Sequence, residues 1–536
     1  MSRSPLRGAD LVVEALIAAG VRQLFTLSGN QILPVYDATV GRGITLIHTR
    51  HEAAAVHMAD GWGRLTEEPG VVLVTAGPGH LNAVSALYTA LGSQSPVVLL
   101  SGHAPRSMLG RGAFQEVDQV GAARPAVKAA WLAERAEALG EDVARALDVA
   151  RAWPPGPVHV SLPGDLLEAR VTTVAPARPR SAVAAPVPAR AVSEALDLLA
   201  GARRPLMIVG PAMGREARWA GVTRLAEITG IPALLMESPR GVNDPALRTA
   251  GEALSHADVV LLLGKRLDFT LRFGQPPAFA ADCRFIHADL DAMPPADRVA
   301  LALGGDPPAV AHQLAEAAVR RPWQRSAWAK EVEDARRATP PAWEDLGRAS
   351  ARPMHPLRLC AALQPLVGQG VLVADGGEFG QWCQAGLEPA VRLINGPSGS
   401  IGSALPMALG ARLARPDLPV FAVLGDGTFG FHALEFDTAV RYRIPVVAVV
   451  GNDARWNAEY QLQLQHYGAE RAVGCELLPT RYDRVAEALG AQGEHVEHPD
   501  DLGPALARAV ASGRPACVNV NIEGAAAPAF ARGVTH

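Results

Sequence analysis

Two aspartates that follow neighbouring apolar runs are the residues of this sequence best suited to chemistry. Asp426 lies in Gly425-Asp426-Gly427 after one run, and Asp453 lies in Gly451-Asn452-Asp453 after the next run, VVAVV. A helix-like segment joins the runs, which predicts a strand, a crossover helix and a parallel strand. The carboxyl ends of such strands bind ligands, and Mg²⁺ takes carboxylate oxygens together with phosphates. A single Asp after a strand usually forms a cap or a turn, but the pair predicts a metal–phosphate site.

Three weaker candidates lie in the first third of the chain. Glu52 is expected in the first turn of an Ala-rich helix, where the helix dipole alone favours a carboxylate and where it could also bind a heterocyclic nitrogen. Gly77-Pro78 belongs to a turn between a strand and a helix, which also lets a flat ring lie against the backbone. Phe114-Gln115 follow a glycine-rich loop and either reach a substrate or form surface.

Apolar runs and turn signals predict the strands that position these residues. The predicted strands are 21–27, 44–48, 71–75, 97–101 and 157–162, then 206–209, 233–236, 259–263 and 284–288, then 371–374, 421–425, 446–450 and 517–522. Asp10 is predicted to cap a helix that runs to about Ala19. Helical segments alternate with the strands, which predicts an α/β fold built as three successive blocks.

Composition divides the chain into domains and connections. The Pro/Ala-rich residues 171–190 predict a stiff linker, and the polar residues 326–355 predict a helical connection. These segments separate the predicted domains 1–170, 191–325 and 356–536. The last residues, from Gly524 onward, are expected to be unstructured.

Charge, apolar runs and cysteine content give no indication of a nucleic-acid, membrane or secreted protein. The net charge of −4 over 536 residues gives no electrostatic reason for a nucleic-acid or anionic membrane partner. The start of the sequence has no run typical of a signal peptide, and no apolar run reaches the roughly 20 residues of a membrane span. The five cysteines are scattered and odd in number, which predicts reduced thiols in a cytoplasmic protein.

Five motifs, in order along the chain, carry a resemblance to one family of enzymes. They are TRHEAAAVHMADGWGR, VTAGPG, GAFQEVDQV, GSIGSALPMALGA and the GDG…ND stretch. With them the whole chain resembles the thiamin diphosphate-dependent enzymes of the acetolactate synthase, benzaldehyde lyase, benzoylformate decarboxylase and 2-hydroxyacyl-CoA lyase group. The resemblance implies three consecutive doubly wound parallel-sheet domains: a pyrimidine-binding domain (1–170), a central nucleotide-binding-like domain (191–325) and a diphosphate- and metal-binding domain (356–536).

The resemblance also implies roles for matching residues. Glu52 would bind the pyrimidine ring nitrogen and drive formation of the imino tautomer, which removes the proton from the thiazolium C2. Ile401 would hold the cofactor bent, the Gly399 carbonyl would accept a hydrogen bond from the pyrimidine amino group, and Asp426 would bind Mg²⁺. Further expected contacts are Phe114 and Gln115 with the substrate, and Gly77, Pro78, Gly377, Glu378, Gly427, Thr428 and Trp456 with the cofactor. For Glu378, a solvated loop position is the alternative.

The second metal position departs from the family pattern. Family members usually have Asn there, but the residue 27 positions after Asp426 is Asp453. The expected ligand is therefore a carboxylate, with the main-chain carbonyl of Arg455 as the next ligand. If the turn is shifted by one residue, Asn452 is the ligand instead.

The expected activity is a thiamin diphosphate- and Mg²⁺-dependent carbon–carbon lyase or carboligase on small 2-keto acids or 2-hydroxy carbonyl compounds, similar to acetolactate synthase. The segment GKRLDFTLRFGQPPAF and the turn GNDARW resemble 2-hydroxyacyl-CoA lyases more closely. That activity, acyloin cleavage of the benzaldehyde lyase type and 2-keto acid decarboxylation are therefore alternatives. A non-catalytic cofactor-binding subunit is the alternative of another class, and the intact Glu52 argues against it.

The resemblance implies an assembly as well. In this family the cofactor lies between the first domain of one chain and the third domain of another. We therefore expect a homodimer or homotetramer in which Glu52 and Asp426 of one site come from different subunits.

Overall fold

Three parallel β-sheets with helices on both faces form the framework of the protein. The computed structural model describes residues 6–172, 186–290, 298–324 and 326–529. Within these ranges the first and third sheets have six strands each, the central sheet has five, and a short antiparallel pair joins the two ends of the first group of elements. The prediction of three consecutive α/β domains with parallel sheets is therefore confirmed.

The elements of the first group run from residue 6 to residue 171. They are β1 (Leu6–Arg7), α1 (Gly8–Ala18), β2 (Gln23–Thr26), α2 (Leu33–Thr39), β3 (Thr45–His48), α3 (Glu52–Thr66), β4 (Gly70–Val74), α4 (Pro78–Gly92), β5 (Val97–His103), α5 (Gln119–Ala123), β6 (Ala129–Leu132), α6 (Leu139–Arg151), β7 (Val158–Pro163), α7 (Gly164–Glu168) and β8 (Arg170–Val171).

The central group and the connection that follows it run from residue 189 to residue 348. They are α8 (Ala189–Ala200), β9 (Pro205–Val209), α9 (Glu216–Thr229), β10 (Ala233–Leu235), α10 (Ala253–His256), β11 (Val259–Leu263), β12 (Arg284–Asp289), β13 (Val299–Gly304) and α11 (Pro307–Ala318), then α12 (Trp328–Arg337) and α13 (Pro341–Arg348).

The third group runs from residue 356 to residue 521. It contains α14 (Pro356–Val367), β14 (Val371–Ala374), α15 (Gly377–Gly386), β15 (Val391–Ile394), α16 (Ala404–Ala414), β16 (Val420–Gly425), α17 (Asp426–His432), α18 (Glu435–Arg441), β17 (Val447–Asn452), α19 (Asn457–Tyr467), α20 (Tyr482–Ala488), β18 (Gln492–Val496), α21 (Pro499–Ala511) and β19 (Ala516–Asn521).

The first and third sheets have the same topology. Their strand orders are β3-β2-β4-β5-β7-β6 and β15-β14-β16-β17-β19-β18, so the same sequence of crossovers occurs twice in one chain. In the third sheet β16 and β17 are parallel neighbours, with Gly425 opposite Gly451. The residues that follow these two glycines therefore leave the sheet side by side, at the edge where ligands bind in such folds.

Helices α3 and α16 join the first and third sheets through a close antiparallel contact. A Cβ on Gly61 would collide with the carbonyl oxygen of Met407, and a Cβ on Gly410 would collide with that of Met58. Glycine is therefore required at both positions for the two backbones to approach each other. One apolar cluster continues across this contact, from the first sheet through both helices into the third sheet.

Among the described residues, the sequence-based prediction missed the short pair β1 and β8 and four strands of the three parallel sheets, and these four are all edge strands. They are β6, β13, β15 and β18. Most of their residues are only partly buried, whereas the predicted strand β5 is buried throughout. An edge strand does not need a continuous apolar run, which is the signal on which the prediction rested.

Two local predictions are wrong. Helix α1 begins at Gly8, and Asp10 lies inside its first turn, where its Oδ2 accepts the Arg7 backbone N–H at 2.8 Å instead of capping from outside. The start of the tail is ordered by hydrogen bonds: Asn457 Nδ2 donates to the Ala525 carbonyl at 3.2 Å, and the Ala527 N–H donates to Glu378 Oε2 at 3.1 Å.

Other predictions concern segments between the sheets. Residues 173–185 of the predicted linker lie outside the described residues, and α8 already begins at Ala189. The proposed domain boundaries stay a prediction.

All five cysteines are buried free thiols. Across the described residues, every helix is too short or too polar to cross a lipid bilayer.

Candidate active site

The carboxyl edge of the third sheet brings Asp426 and Asp453 together. Asp426 follows β16 and begins α17, where it is 1% exposed, and Asp453 follows β17. The two carboxyl groups lie within hydrogen-bonding reach of each other, and the Arg455 backbone N–H donates to both. The sequence-based pairing of these residues agrees with this geometry.

The electrostatics of the pair favour an added cation. Burial raises the pKa of Asp426, and burial together with the charge of Asp426 raises the pKa of Asp453. Asp426 Oδ2 is buried without a hydrogen-bond partner among the described residues. Among the described residues there is no cluster of three or more His, Cys, Asp or Glu side chains that could hold a metal ion without other ligands. Mg²⁺ commonly takes only one or two carboxylates and completes its shell with phosphates and water, so this donor set fits it.

The side chain of Asn452, the alternative ligand, points into the domain. Its Nδ2 donates to the Thr480 carbonyl at 2.9 Å and to Asn519 Oδ1 at 3.2 Å. Its Oδ1 accepts the backbone N–H of Ala454, which has φ +53°. Asn452 therefore builds the turn that presents Asp453, which is the usual role of an Asn that bonds its own backbone two residues on.

The residues after Asp453 shape the same edge. The Trp456 N–H donates to the Cys475 carbonyl at 2.7 Å, and its ring lies where a Cβ on Gly427 would be, with the nearest ring atom at 2.7 Å. The Arg455 guanidinium stacks on the Tyr460 ring at 4.4 Å, which leaves its main chain at the turn. Thr428 Oγ1 donates to the Gly425 carbonyl at 3.1 Å. The predicted contacts Gly427, Thr428, Arg455 and Trp456 thus lie around the aspartate pair.

A third buried aspartate, Asp375, organises the loop before α16. Its carboxylate accepts the backbone N–H groups of Gly376 at 2.8 Å, Gly402 at 3.0 Å and Ala404 at 3.0 Å. Burial raises the pKa of Asp375 to about 6. The sequence-based site omitted this residue, although it directly follows β14 in the way that Asp426 follows β16. It fixes the loop that contains Gly399 and Ile401.

Gly376 leaves room for the Ile401 side chain. A Cβ at Gly376 would lie 2.8 Å from Ile401 Cγ2 and 3.0 Å from Asn395 Nδ2. We expect Gly376→Ala to displace Ile401 and to weaken thiamin diphosphate binding by roughly tenfold, the cost of about 1.4 kcal/mol of overpacking. Titration of the intrinsic tryptophan fluorescence with the cofactor measures this.

Gly503→Ala is the matched control for that change. Gly503 is an exposed residue of α21, and a Cβ there meets no atom within 4 Å. It is expected to leave the dissociation constant within twofold. Equal affinities for the Gly376→Ala and Gly503→Ala proteins would contradict the role given to Ile401.

Glu378 is buried, so the solvated alternative is wrong. It is 8% exposed, and its Oε2 accepts from Gln381 Nε2 at 3.2 Å and from the Ala527 backbone N–H at 3.1 Å. Burial raises the pKa of Glu378. Gly377 beside it has φ +84°, a left-handed conformation that favours glycine.

The first sheet places Glu52 at its own carboxyl edge. Glu52 begins α3 and is 7% exposed, and its Oε2 accepts from Asn82 Nδ2 at 3.1 Å. A Cβ at Gly79 would lie 3.2 Å from Glu52 Oε1, so the glycine turn brings α4 against the carboxylate. Gly77 precedes this turn with φ +57°, and Pro78 begins α4.

The loop that carries Phe114 and Gln115 covers the same turn. Gln115 has φ +59°, and its Oε1 accepts from Gln31 Nε2 at 2.9 Å. Its carbonyl oxygen lies 2.7 Å from where a Cβ of Gly77 would be, so Gln115 and the Gly77 turn are in contact. Phe114 is 70% exposed and points away from the domain. Gln31 and Asn82 were missed, although Gln31 follows a strand end in the same way as the predicted residues.

Glu52 and the Gly399–Ile401 loop lie at opposite ends of the α3–α16 contact. Met58 faces Gly410 while Gly61 faces Met407, so the helices run antiparallel. Each helix rises by about 1.5 Å per residue. The steps from Glu52 to Gly61 along α3 and from Ala404 to Met407 along α16 add up, so Glu52 lies about 18 Å from the start of α16 along the axis of the helix pair. One chain therefore does not bring Glu52 to its own Gly399–Ile401 loop.

Comparison with known families identifies the class of protein. Family models of the thiamine pyrophosphate enzymes match residues 6–122 (N-terminal TPP binding domain), 192–314 (central domain) and 375–520 (C-terminal TPP binding domain). The chain belongs to the thiamine pyrophosphate enzyme family. The recognised resemblance is therefore confirmed, and thiamin diphosphate is the cofactor that its binding domains define.

Curated relatives narrow the class to lyases and carboligases. The chain is 37% identical to "Acetolactate synthase large subunit IlvG" of Mycobacterium tuberculosis, over 96% of this chain and 95% of the relative. It is 32% identical to "2-hydroxyacyl-CoA lyase 2" of Homo sapiens, over 91% of this chain and 84% of the relative. It is 27% identical to "Probable acetolactate synthase large subunit" of Methanocaldococcus jannaschii, over 97% and 93%. The chain is thus a thiamin diphosphate-dependent lyase or carboligase.

Proposed function

We propose that the protein is a Mg²⁺-dependent carboligase of the acetolactate synthase type that acts on small 2-keto acids or 2-hydroxy carbonyl compounds. The observation that carries the proposal is a pair of half-sites: a buried Glu52 at one sheet edge, and a buried aspartate pair with an unpartnered oxygen at the other. The similarity to acetolactate synthases over nearly the whole chain supports this substrate class.

The residues of the third domain would hold the cofactor and its metal. Asp426, Asp453 and the Arg455 carbonyl would bind Mg²⁺, and the turn at Gly427 and Thr428 would receive the diphosphate. The bound cofactor supplies a carbon nucleophile that adds to a carbonyl group and then serves as an electron sink, so that a bond to that carbon breaks or forms.

The remaining residues would orient the ring and exclude water. Ile401 would press the cofactor into its bent shape, and the Gly399 carbonyl would accept a hydrogen bond from the pyrimidine amino group. Glu52 would hold a proton at the pyrimidine ring nitrogen, which its buried position in contact with Asn82 supports. Phe114 and Gln115 would face the substrate.

We infer that a second copy of the chain completes the site. The separation of Glu52 from the start of α16 supports this, because one chain supplies only half of each site. Large apolar side chains are exposed around both sheet edges, and a second copy would cover them. They include Leu33, Phe114, Phe431, Leu434 and Leu478. The assembly would be a homodimer or a homotetramer.

A 2-hydroxyacyl-CoA lyase activity is the second candidate. The similarity to 2-hydroxyacyl-CoA lyase 2 over 91% of the chain favours it, as does the GNDARW turn. Benzaldehyde lyase-type cleavage, 2-keto acid decarboxylation and a non-catalytic subunit remain outcomes of the test. We also propose a cytoplasmic location, which the five free thiols support.

A substrate panel tests these assignments. The holoenzyme is incubated separately with pyruvate, 2-ketobutyrate, acetoin, benzoin and a 2-hydroxyacyl-CoA, and the products are separated by mass. We expect acetolactate from pyruvate, and none from a Glu52→Gln control. Cleavage of the CoA substrate alone would support the second candidate. Cofactor binding, seen by circular dichroism, without consumption of any compound would support the non-catalytic subunit.

A further inference from the structure

The two residues before Glu52 are hydrogen-bonded to the third domain of the same chain. Glu435, the first residue of α18, accepts the Arg50 backbone N–H at 3.0 Å through Oε1 and at 3.3 Å through Oε2. The backbone N–H of His51 donates to the same carboxylate. Glu435 therefore accepts hydrogen bonds from two consecutive backbone donors at the entry to α3.

The rest of α18 and Tyr442, the residue after it, support the same segment. The Tyr442 hydroxyl accepts the His48 backbone N–H at 2.9 Å, and Arg441 Nη2 donates to the His48 carbonyl at 2.5 Å. Thr438 Oγ1 donates to Glu435 Oε2 at 2.6 Å and orients the carboxylate. The end of β3 and the turn into α3 are thus fixed from the third domain.

Glu435 is deeply buried for a carboxylate. It is 1% exposed, and burial raises its pKa to about 7, while hydrogen bonds from Thr438, Arg50 and His51 and the charge of Arg441 act in the opposite direction. Burial of a carboxylate is costly unless its oxygens are bonded, and here its bonds go to the backbone next to Glu52.

We propose that Glu435 is a positioning residue for Glu52 of its own chain. This inference rests on the proposed function, in which that Glu52 acts on the cofactor bound by the other chain's third domain. Each third domain would then have two tasks: it binds one cofactor through Asp426, and through Glu435 it orients the glutamate that serves the other cofactor.

Orientation matters here because Glu52 begins its helix. His51 is the residue before α3, and its Nδ1 accepts the Ala53 N–H at 3.1 Å, so the entry to the helix depends on where His51 lies. With Glu435→Gln, an amide NH₂ replaces one acceptor oxygen and faces the backbone donors. A displacement of about 1 Å at a reacting group can cost about a hundredfold in rate.

Mixed dimers with one working site test this. One chain carries Asp426→Asn and supplies the intact Glu52; the other carries Glu52→Gln and supplies the intact Asp426. Two affinity tags isolate the mixed species. The readout is the rate at which C2 of bound thiamin diphosphate exchanges hydrogen for deuterium, measured by NMR after acid quenching, which requires no substrate.

Glu435→Gln is then added to one chain at a time. In the chain with the intact Glu52, we expect the exchange rate to fall by about tenfold to about a hundredfold, with cofactor affinity within threefold. In the other chain we expect a fall of less than twofold. An equal fall in both positions, or no fall in either, overturns the proposal, because a general loss of stability would not depend on the chain.

Asp437→Asn is the matched control on the same helix. Asp437 is also an acidic residue of α18, but it pairs with side chains: Arg441 Nε at 2.8 Å and Arg50 Nη1 at 3.8 Å. It is expected to leave the C2 exchange rate within twofold in either chain. A loss equal to that of Glu435→Gln would assign the effect to α18 in general and overturn the specific role of Glu435.

A second measurement separates this proposal from the shared site. If the reference mixed dimer shows no exchange activity, the shared site is wrong. Hydrogen–deuterium exchange of the cofactor-free protein then tests Glu435 directly, at the backbone amides of Arg50 and His51. We expect these amides to exchange at least about tenfold faster in Glu435→Gln, as loss of about 1.4 kcal/mol of protection implies. Unchanged exchange overturns the proposal.

Discussion

Proteins that carry Glu52→Gln or Asp426→Asn are each expected to be inactive, and mixing the two is expected to restore activity. Loss of a general acid–base group typically costs about 10²- to 10⁴-fold in rate. In the proposed shared site Glu52 and Asp426 come from different chains, so a mixed dimer would keep one intact site out of two. After equal mixing and complete exchange, about a quarter of the sites are intact, which the rate of product formation measures.

The reciprocal mixture is the sharper control. A chain with both substitutions is mixed with the unsubstituted chain. If each site draws on both chains, every mixed dimer is inactive, and activity falls by about half as the chains exchange. If each chain held a complete site, activity would stay unchanged. An active monomer in solution would contradict the shared site in the same way.

Asp453→Ala is expected to lower the affinity for thiamin diphosphate in the presence of Mg²⁺ by at least about tenfold, since it removes the carboxylate that we propose as a metal ligand next to the diphosphate. Asn452→Ala is expected to cost less, because Asn452 contacts Thr480 and Asn519 and acts only through the turn. Equilibrium titration at saturating Mg²⁺ measures both. If Asp453→Asn has no effect while Asn452→Ala abolishes binding and activity, Asn452 is the ligand.

The pH dependence of metal binding gives a second test of the pair. Without metal, burial raises the pKa of Asp426 to about 6, and burial with the Asp426 charge raises that of Asp453 to about 7. Protons therefore compete with Mg²⁺, and affinity is expected to fall as the pH drops through 7 towards 6. Asp453→Asn removes the negative charge next to Asp426, so the affinity of this variant for Mg²⁺ should persist to lower pH. Identical pH profiles for the unsubstituted protein and Asp453→Asn would contradict direct contact between the carboxyl groups.

The buried strands of the three parallel sheets could be predicted from sequence, and four of the six edge strands could not. β16 and β17 are apolar runs with polar turns at their ends, so their parallel pairing and the meeting of Asp426 with Asp453 follow from local patterns. β15 and β18 are for the most part only partly buried, and polar residues interrupt their apolar residues. Their polar residues resemble loops, and only the growing sheet stabilises them as strands.

Residues that act through the backbone were also beyond prediction. Asp375 and Glu435 bond main-chain N–H groups that lie far away in sequence, so no motif spacing connects donor and acceptor. The separation of Glu52 from the Gly399 loop depends on the antiparallel α3–α16 contact. That contact places a glycine of each domain against a methionine carbonyl of the other, which a single sequence does not reveal.

The α3–α16 contact also limits how such proteins can be recombined. Met58-Ala-Asp-Gly61 and Met407-Ala-Leu-Gly410 have the same Met-x-x-Gly spacing and meet reciprocally, so the contact has a local two-fold axis inside a single chain. A chimaera that takes its third domain from another family member receives a foreign α16 but keeps its own α3. We therefore expect a chimaera with a new substrate range to fold only where the two parent proteins have the same residues at this contact on both helices. The residues of α3 and α16 at this contact then have to come from the same parent.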